Sequence, residues 1–338
     1  MRIGVLTGGG DCPGLNAAIR AVVKHAEIGH GHSVIGFKRG WRGVAEGDFT
    51  PILRDDVRNA LTLGGTMLGT DRFHPDENPG ATEQVLQVLK DEAVTALVCI
   101  GGDGTLTAAA KVAEQGVNVI GIPKTIDNDV WLTERSIGFD TALWVATEAI
   151  DRLHTTAESH HRVMVLEVMG REAGWIAINS GIAGGADVII TPEEPFDIEK
   201  VVSRIRHRHK AHAKYSIVVV AEGATPAPGT ALEFSGAKES MLTGKTSELI
   251  ADAIASLTGF DTRLTVLGHV QRGGIPTPFD RILGSRFGVA AVDALSDGKT
   301  NMVTTLQSGR IVLEPFSKIA GKQQKVPKEL LKVARSLL

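Results

Sequence analysis

The sequence predicts an α/β protein built from mostly parallel sheets covered by helices. Short apolar runs bounded by glycine or polar turns recur at 3–7, 34–37, 96–100, 117–122, 163–168, 188–190, 217–221 and 264–267. Amphipathic helical patterns fall between most of them, at 15–26, 81–90, 106–114, 141–159, 173–183, 198–209, 246–257 and 278–295. Such alternation marks βαβ units, whose strands are buried on both faces and so read as continuous apolar runs. Glycine supplies 39 of the 338 residues and aromatics only 4%. The usual glycine share is about 7%, so this chain favours tight strand-to-helix turns and backbone laid against a ligand.

Taken in order, the first run, Ile3-Gly-Val-Leu-Thr7, ends at a glycine turn that opens the helix at 15–26. The run at 96–100 ends at a second glycine turn before the helix at 106–114, and 117–122 ends at Pro123. The long pattern at 141–159 suits a crossover into a second α/β lobe, as a length of 338 residues at about 150 per domain suggests. A loop at 223–244, rich in Pro, Gly, Ser and Ala, reads as a surface excursion, and Arg204-Ile-Arg-His-Arg-His-Lys210 as the solvated face of a helix. His154, His160, His161, His207, His209 and His212 likewise read as surface groups. No repeat of 20–50 residues suggests a solenoid.

The charge balance, 36 basic against 39 acidic residues and a net −3, gives no global pull toward nucleic acid or an anionic membrane. Cys12 and Cys99 cannot build a disulfide framework or a four-cysteine zinc site. No apolar run approaches the roughly 18 residues of a membrane span. A strand-like run begins at once, leaving no room for a signal peptide, so a soluble cytoplasmic protein is expected.

Three motifs carry chemistry. Leu6-Thr-Gly-Gly-Gly-Asp-Cys-Pro-Gly-Leu-Asn16 lets backbone N–H groups converge on a phosphate at a helix start. It is neither a Walker A loop nor a dinucleotide fingerprint; an ordinary tight turn stands beside the phosphate reading. Cys99-Ile-Gly-Gly-Asp-Gly-Thr-Leu106 places three glycines around one carboxylate. It suits a polyphosphate cradle in which Asp103 approaches Mg²⁺ and Thr105 serves as N-cap and phosphate donor. In Pro123-Lys-Thr-Ile-Asp-Asn-Asp129, an extended backbone would turn Asp127 and Asp129 to one side. Phosphoryl transfer uses such a pair, one carboxylate to accept a hydroxyl proton and one to help hold Mg²⁺.

These motifs, from Arg2 to about Leu295, closely resemble the bacterial-type 6-phosphofructokinases. The resemblance extends to Gly64-Gly-Thr-Met-Leu-Gly69, Arg72-Phe73, Ser159-His-His-Arg162, Glu167-Val-Met-Gly-Arg171, Glu222 and Val266-Leu-Gly-His-Val-Gln-Arg-Gly-Gly274. It implies two Rossmann-like lobes with the active site in the cleft between them. Residues 1–138 with about 270–320 would form the nucleotide lobe, and 139–269 with about 321–338 the fructose 6-phosphate lobe. Gly10, Arg72, Phe73, Gly102, Asp103, Gly104 and Thr105 would bind MgATP, with Asp103 as the metal ligand. Asp127 would be the base toward the sugar C1 hydroxyl, supported by Thr125 and Asp129, while Lys124, Arg72 and Arg171 neutralise charge. Met169, Gly170, Arg171, Glu222, His269 and Arg272 would line the fructose 6-phosphate pocket. Arg162 and Arg263 would reach in from a neighbouring subunit of a homo-oligomer, a tetramer being favoured.

Two departures stand out. ATP-using members of the family generally carry glycine at the positions of both Gly104 and Lys124, and pyrophosphate users Asp and Lys. Gly104 favours ATP here, with pyrophosphate as the alternative donor. The basic side chains of the family's effector pocket align with Ala21, His25, His154 and Ala213, leaving Arg54, so strong control by phosphorylated effectors is not expected. An NAD or lipid kinase and an inactive regulatory subunit are the remoter alternatives.

Overall fold

The computed structural model describes residues 1–230 and 245–337, so most of the loop read at 223–244 lies outside the described residues. The chain opens with β1 (Arg2–Thr7), α1 (Leu15–His30), β2 (Ser33–Phe37), α2 (Trp41–Glu46), β3 (Phe49–Pro51) and α3 (Ala81–Asp91). Next come β4 (Ala96–Gly101), α4 (Asp103–Glu114), β5 (Val119–Pro123), α5 (Phe139–His160), β6 (Val163–Val168), α6 (Trp175–Ala183) and β7 (Val188–Ile190). Then follow α7 (Ile198–Lys210), β8 (Ser216–Ala221), α8 (Lys245–Thr258), β9 (Thr262–Val266) and α9 (Pro278–Ser296). The chain closes with β10 (Met302–Gln307), β11 (Arg310–Pro315), α10 (Phe316–Ile319) and α11 (Lys328–Leu337). It divides into two units, one of Met1–Thr141 with Arg272–Gln324 and one of Ala142–Gln271 with Lys325–Leu338.

The first unit holds a seven-stranded sheet in the order β11-β10-β5-β4-β1-β2-β3. Its five inner strands are parallel, and the edge strands β3 and β11 are antiparallel. From β1 the chain runs outward to β2 on one side and returns to β4 on the other. The connections therefore diverge beyond the carboxyl ends of β1 and β4, the switch point where open α/β sheets bind ligands. Ile3, Val5, Leu6, Leu97, Val98, Cys99 and Ile100 are fully buried, as strands covered on both faces require.

Helix α9 lies along α1 in the same direction, and two glycines allow the close approach. A Cβ at Gly284 would sit 2.9 Å from the Gly14 carbonyl, and one at Gly288 2.8 Å from that of Ala18. β3, β10 and β11 are absent from the sequence reading. The middle of β10 carries Thr304 and Thr305, fully buried because their hydroxyls bond to the Gly121 and Val312 carbonyls at 3.3 and 3.1 Å. Polar residues in that register break the apolar signal.

The second unit holds an all-parallel sheet in the order β7-β8-β6-β9. Val163, Val165, Val218 and Val220 pack against Val201 and Ile205 of α7 and Ile250 and Ile254 of α8. The basic stretch of α7 is less solvated than its charge suggests. Arg204 Nε donates to the Asp187 carbonyl at 2.7 Å, Arg208 pairs with the Asp187 carboxylate at 2.7 Å, and His209 stacks on Phe260 at 3.8 Å. His154 is also no bare surface group: its ring nitrogens meet the Tyr215 hydroxyl at 3.0 Å and the Gly184 carbonyl at 2.6 Å.

Candidate active site

In the first unit, the turns after β1, β4 and β5 are laced together at the switch point. Gly8 N–H donates to the Ile100 carbonyl at 3.0 Å, and Lys124 N–H to that of Gly101 at 2.9 Å. The Lys124 side chain then turns beneath the first glycine loop. Its Nζ donates to the Gly8 carbonyl at 3.0 Å and also to the Gly10 carbonyl. At 2% exposure its ammonium is desolvated, and that burial pushes its pKa down. The charge assigned to the reacting group is thus engaged first in holding the loop.

The sequence suggests Thr105 as an N-cap, but α4 starts three residues earlier than that implies and Gly102 is its cap, with no side-chain cap bond. Thr105 is instead buried beneath the first loop, where a Cβ on Gly8 would come within 2.5 Å of its Oγ1. That packing is why position 8 must be glycine. Asp103, the first residue of α4, is half-buried, and its Oδ1 accepts the Gly321 N–H at 3.0 Å. Gly104 is exposed, and a Cβ there would stand 3.1 Å from His74 Nε2.

Asp127 and Asp129 are both buried, but a strand pleat does not orient them. The backbone turns at Ile126 and Asp127, and Asn128 adopts a left-handed φ of 52°. Asparagine tolerates that region. Here its Oδ1 accepts the Ser136 N–H at 3.0 Å and its Nδ2 donates to the Glu134 carbonyl at 3.2 Å. Thr125 Oγ1 accepts the Asp127 N–H at 3.1 Å and donates to Asp127 Oδ2 at 3.3 Å. Thr125 therefore aims the Asp127 carboxylate. The Asp129 carbonyl accepts the Gln324 N–H at 2.8 Å.

Arg72 is exposed, whereas Phe73 is fastened by residues that the sequence reading missed. Asp71 accepts the Phe73 N–H at 2.8 Å and Arg42 Nε at 2.7 Å, and the Arg42 guanidinium carbon lies 5.0 Å from the Phe73 ring centroid. The Arg42 hydrogen bond holds the Asp71 carboxyl below the usual carboxylate range. The same segment is tied to the glycine loop, with Thr70 Oγ1 donating to the Gly9 carbonyl at 2.5 Å and Gly9 N–H to that of Asp71 at 3.1 Å. Arg272 also belongs to this unit. Its Nη1 donates to the Asp11 carbonyl at 3.3 Å, and a Cβ on Gly10 would come within 2.5 Å of that nitrogen.

In the second unit, Met169, Gly170 and Arg171 follow β6. One oxygen of Glu222 accepts the N–H groups of Gly170 at 3.2 Å and Arg171 at 2.8 Å. This clamp holds Arg171 at a φ of 53°, a left-handed conformation that is costly for a non-glycine residue and persists only where surrounding contacts support it. Met169 N–H donates to the fully buried Gln271 at 3.3 Å, and His269 stands in the short turn Gly268–Arg272. Arg162 and Arg263 converge on Asp261: Arg162 Nε reaches Oδ2 at 2.5 Å and Arg263 Nη1 reaches Oδ1 at 2.6 Å. Asp261, like Arg42 and Asp71, carried no sequence signal, because a lone charged residue reads as surface.

A family model described as phosphofructokinase matches residues 2–295. A pyrophosphate–fructose 6-phosphate 1-phosphotransferase of Amycolatopsis methanolica is 50% identical over 333 residues, covering 97% of each chain. An ATP-dependent 6-phosphofructokinase of Mycobacterium tuberculosis is 50% identical over 332 residues, covering 97% of this chain and 96% of its own. The crystal structure of Pichia pastoris phosphofructokinase in the T-state superposes with a TM-score of 0.85 at 32% identity, over 99% of this chain and 36% of the yeast chain. With the glycine turns gathered at the switch point and the matched residues running through both units, the chain belongs to the phosphofructokinase family.

Proposed function

We propose that this enzyme transfers the γ-phosphoryl group of MgATP to the C1 hydroxyl of fructose 6-phosphate, giving fructose 1,6-bisphosphate and ADP. Gly104 carries the donor assignment. It is exposed at the second residue of α4, and among the described residues only the His74 ring comes within 4 Å of where a side chain would start. That leaves space for an α-phosphate and nucleoside, which a carboxylate would crowd and repel. Pyrophosphate is the second reading, favoured by Lys124 and by the Amycolatopsis relative. The engagement of Lys124 Nζ with the Gly8 and Gly10 carbonyls weakens it.

Phosphoryl transfer asks the protein for positioning and charge stabilisation more than for covalent chemistry. Asp127, aimed by Thr125, accepts the C1 hydroxyl proton as the oxygen bonds to the γ-phosphorus and the bridging bond to ADP breaks. Arg72 and Arg171 bear on the transferring charge, and Asp129 supports the reacting groups. Arg162 and Arg263, supplied across subunits of a homotetramer, clamp the 6-phosphate, and Arg272 and His269 belong to the same fructose 6-phosphate pocket. Met169, Gly170 and Glu222 line the sugar site. Asp103 fits Mg²⁺, a hard cation that takes one or two carboxylates and otherwise phosphate oxygens and water. When bound, the ion neutralises charge on the phosphates. The reading places the enzyme in cytoplasmic glycolysis; separately, no helix among the described residues is long and apolar enough to cross a membrane.

Measuring kcat/KM for ATP and pyrophosphate side by side, on wild type and Gly104→Asp, tests the donor. A carboxylate about 4 Å from a polyphosphate charge repels it by about 4 kcal/mol at an effective dielectric of about 20. About 1.4 kcal/mol is tenfold, so even a fraction moves the ratio by orders of magnitude. Wild type should prefer ATP, and the variant should shift toward pyrophosphate. A wild-type preference for pyrophosphate overturns the assignment.

A further inference from the structure

Helices α1 and α9 run side by side in one direction, so both carboxyl ends finish at the same place. Each end carries roughly half a negative charge from its unpaired carbonyls. Asp293, in the last turn of α9, adds a full one. A carboxylate there is unfavourable unless a cation accompanies it. Among the described residues its ion-pair partners are two imidazoles and no lysine or arginine. His25 Nε2 lies 2.5 Å and His30 Nε2 3.0 Å from the same oxygen, Asp293 Oδ1.

We propose that His25, His30 and Asp293 bind one divalent transition-metal ion of the zinc type at the paired carboxyl ends of α1 and α9. The three donor atoms already lie within 4.8 Å of one another. Zinc bound at about 2.0–2.2 Å to imidazole nitrogen and carboxylate oxygen needs only a small opening of that triangle. Two imidazoles and one carboxylate select zinc-like ions over Mg²⁺ and Ca²⁺, which prefer oxygen donors alone. The His30 and His25 rings stand perpendicular at a centroid distance of 5.0 Å, so their nitrogens approach one point from different directions. His32 is a support rather than a ligand. Its ring stacks on His30 at 5.5 Å, and its Nε2 is occupied by Ser296 Oγ at 3.1 Å. The half-exposed cluster leaves solvent access for a fourth ligand.

The test is a Zn²⁺ titration of the full-length, tag-free enzyme in excess Mg²⁺, by competition with a chromophoric chelator, alongside Co²⁺ absorption spectra. Wild type should take up one tight ion per chain and give a visible Co²⁺ band. His30→Ala and Asp293→Asn should each weaken binding by at least about tenfold and lose the band. His207→Ala, an exposed histidine on α7, should change neither. Circular dichroism of the near-isosteric Asp293→Asn separates loss of a ligand from loss of fold. No stoichiometric Zn²⁺ uptake by wild type, or uptake unchanged in both ligand variants, overturns the proposal and leaves a hydrogen-bonded His–Asp–His cluster.

Discussion

Lys124→Met removes the ammonium beneath the first glycine loop while keeping an unbranched chain of similar length. Two hydrogen bonds are lost, to the Gly8 and Gly10 carbonyls. Bonds from a charged donor contribute about 1.5–3 kcal/mol each, so the gross loss is about 3–6 kcal/mol. Against that, methionine no longer buries a charge, and desolvation of an ion costs several kcal/mol. The lowered Lys124 pKa reports that cost. A net destabilisation of about 2 kcal/mol follows, which lowers the melting temperature by roughly 4–8 °C for a unit of this size. The loosened loop should also lower kcat, about tenfold for each 1.4 kcal/mol of lost positioning. Thermal denaturation and steady-state kinetics on the same preparations check both. If kcat falls while the melting temperature holds, the ammonium acts directly on the transferring group. If neither moves, the loop does not depend on Lys124.

Asp127→Asn keeps the side chain's size but not its basicity, so kcat should drop ~10²–10⁴-fold with little change in substrate binding; near-normal turnover would exclude it as the base. Asp280 accepts the Gly138 N–H at 3.0 Å, the Thr141 N–H at 2.9 Å and Thr141 Oγ1 at 2.6 Å, yet burial pushes its carboxyl up from 3.8 to about 6. The folded state then holds a proton that the unfolded state releases, so this group's contribution to stability falls as pH rises through that window, by about 3 kcal/mol in all. Melting curves from pH 4 to 6 should show Asp280→Asn gaining on wild type as pH rises, and a constant difference would refute it. Cys12 and Cys99 are fully buried, with the Cys12 thiol pushed up to about 12 and that of Cys99 also raised by burial. Iodoacetamide should therefore label neither in the native enzyme and both in urea, and rapid native labelling of Cys12 would contradict that.

The apolar strands β1, β4, β6 and β8 were legible because a parallel sheet buries both faces of each strand, leaving no alternation to confuse the reading. The glycine turns were legible for a related reason, since Gly8 faces Thr105 at a distance no side chain allows. What escaped the sequence were the partners that act through space. Arg42 reaches Asp71 behind Phe73, and Arg162 reaches the Asp261 that also holds Arg263, but these two arginines meet their carboxylates only after the chain folds. Local geometry also misled. Alternation suggested that Asp127 and Asp129 share a side through an extended backbone, whereas the left-handed Asn128 and the Thr125 hydroxyl set their course. Thr105 resembles a cap in the sequence, yet Gly102 is the cap and Thr105 lies buried in the first turns of α4 against Gly8.

The place of β10 in the first sheet bears on how the chain is made. β5 pairs with β4 on one side and with β10 on the other, and β10 ends at Gln307. During synthesis at about 5–20 residues per second, the outer edge of β5 stays bare for roughly 10–40 s after Pro123 is added. The apolar face of α1, complete at His30, waits longer still for α9, which begins at Pro278. Over that interval the four strands of the second sheet emerge without interruption, so their folding can finish while the first sheet is still open. An exposed parallel edge is a template for pairing with another chain, and crowded overexpression would trap nascent chains at this stage. Slower translation beyond residue 123 would lengthen the exposure, whereas a chaperone that covers an unpaired strand would act on this enzyme before its last strands exist.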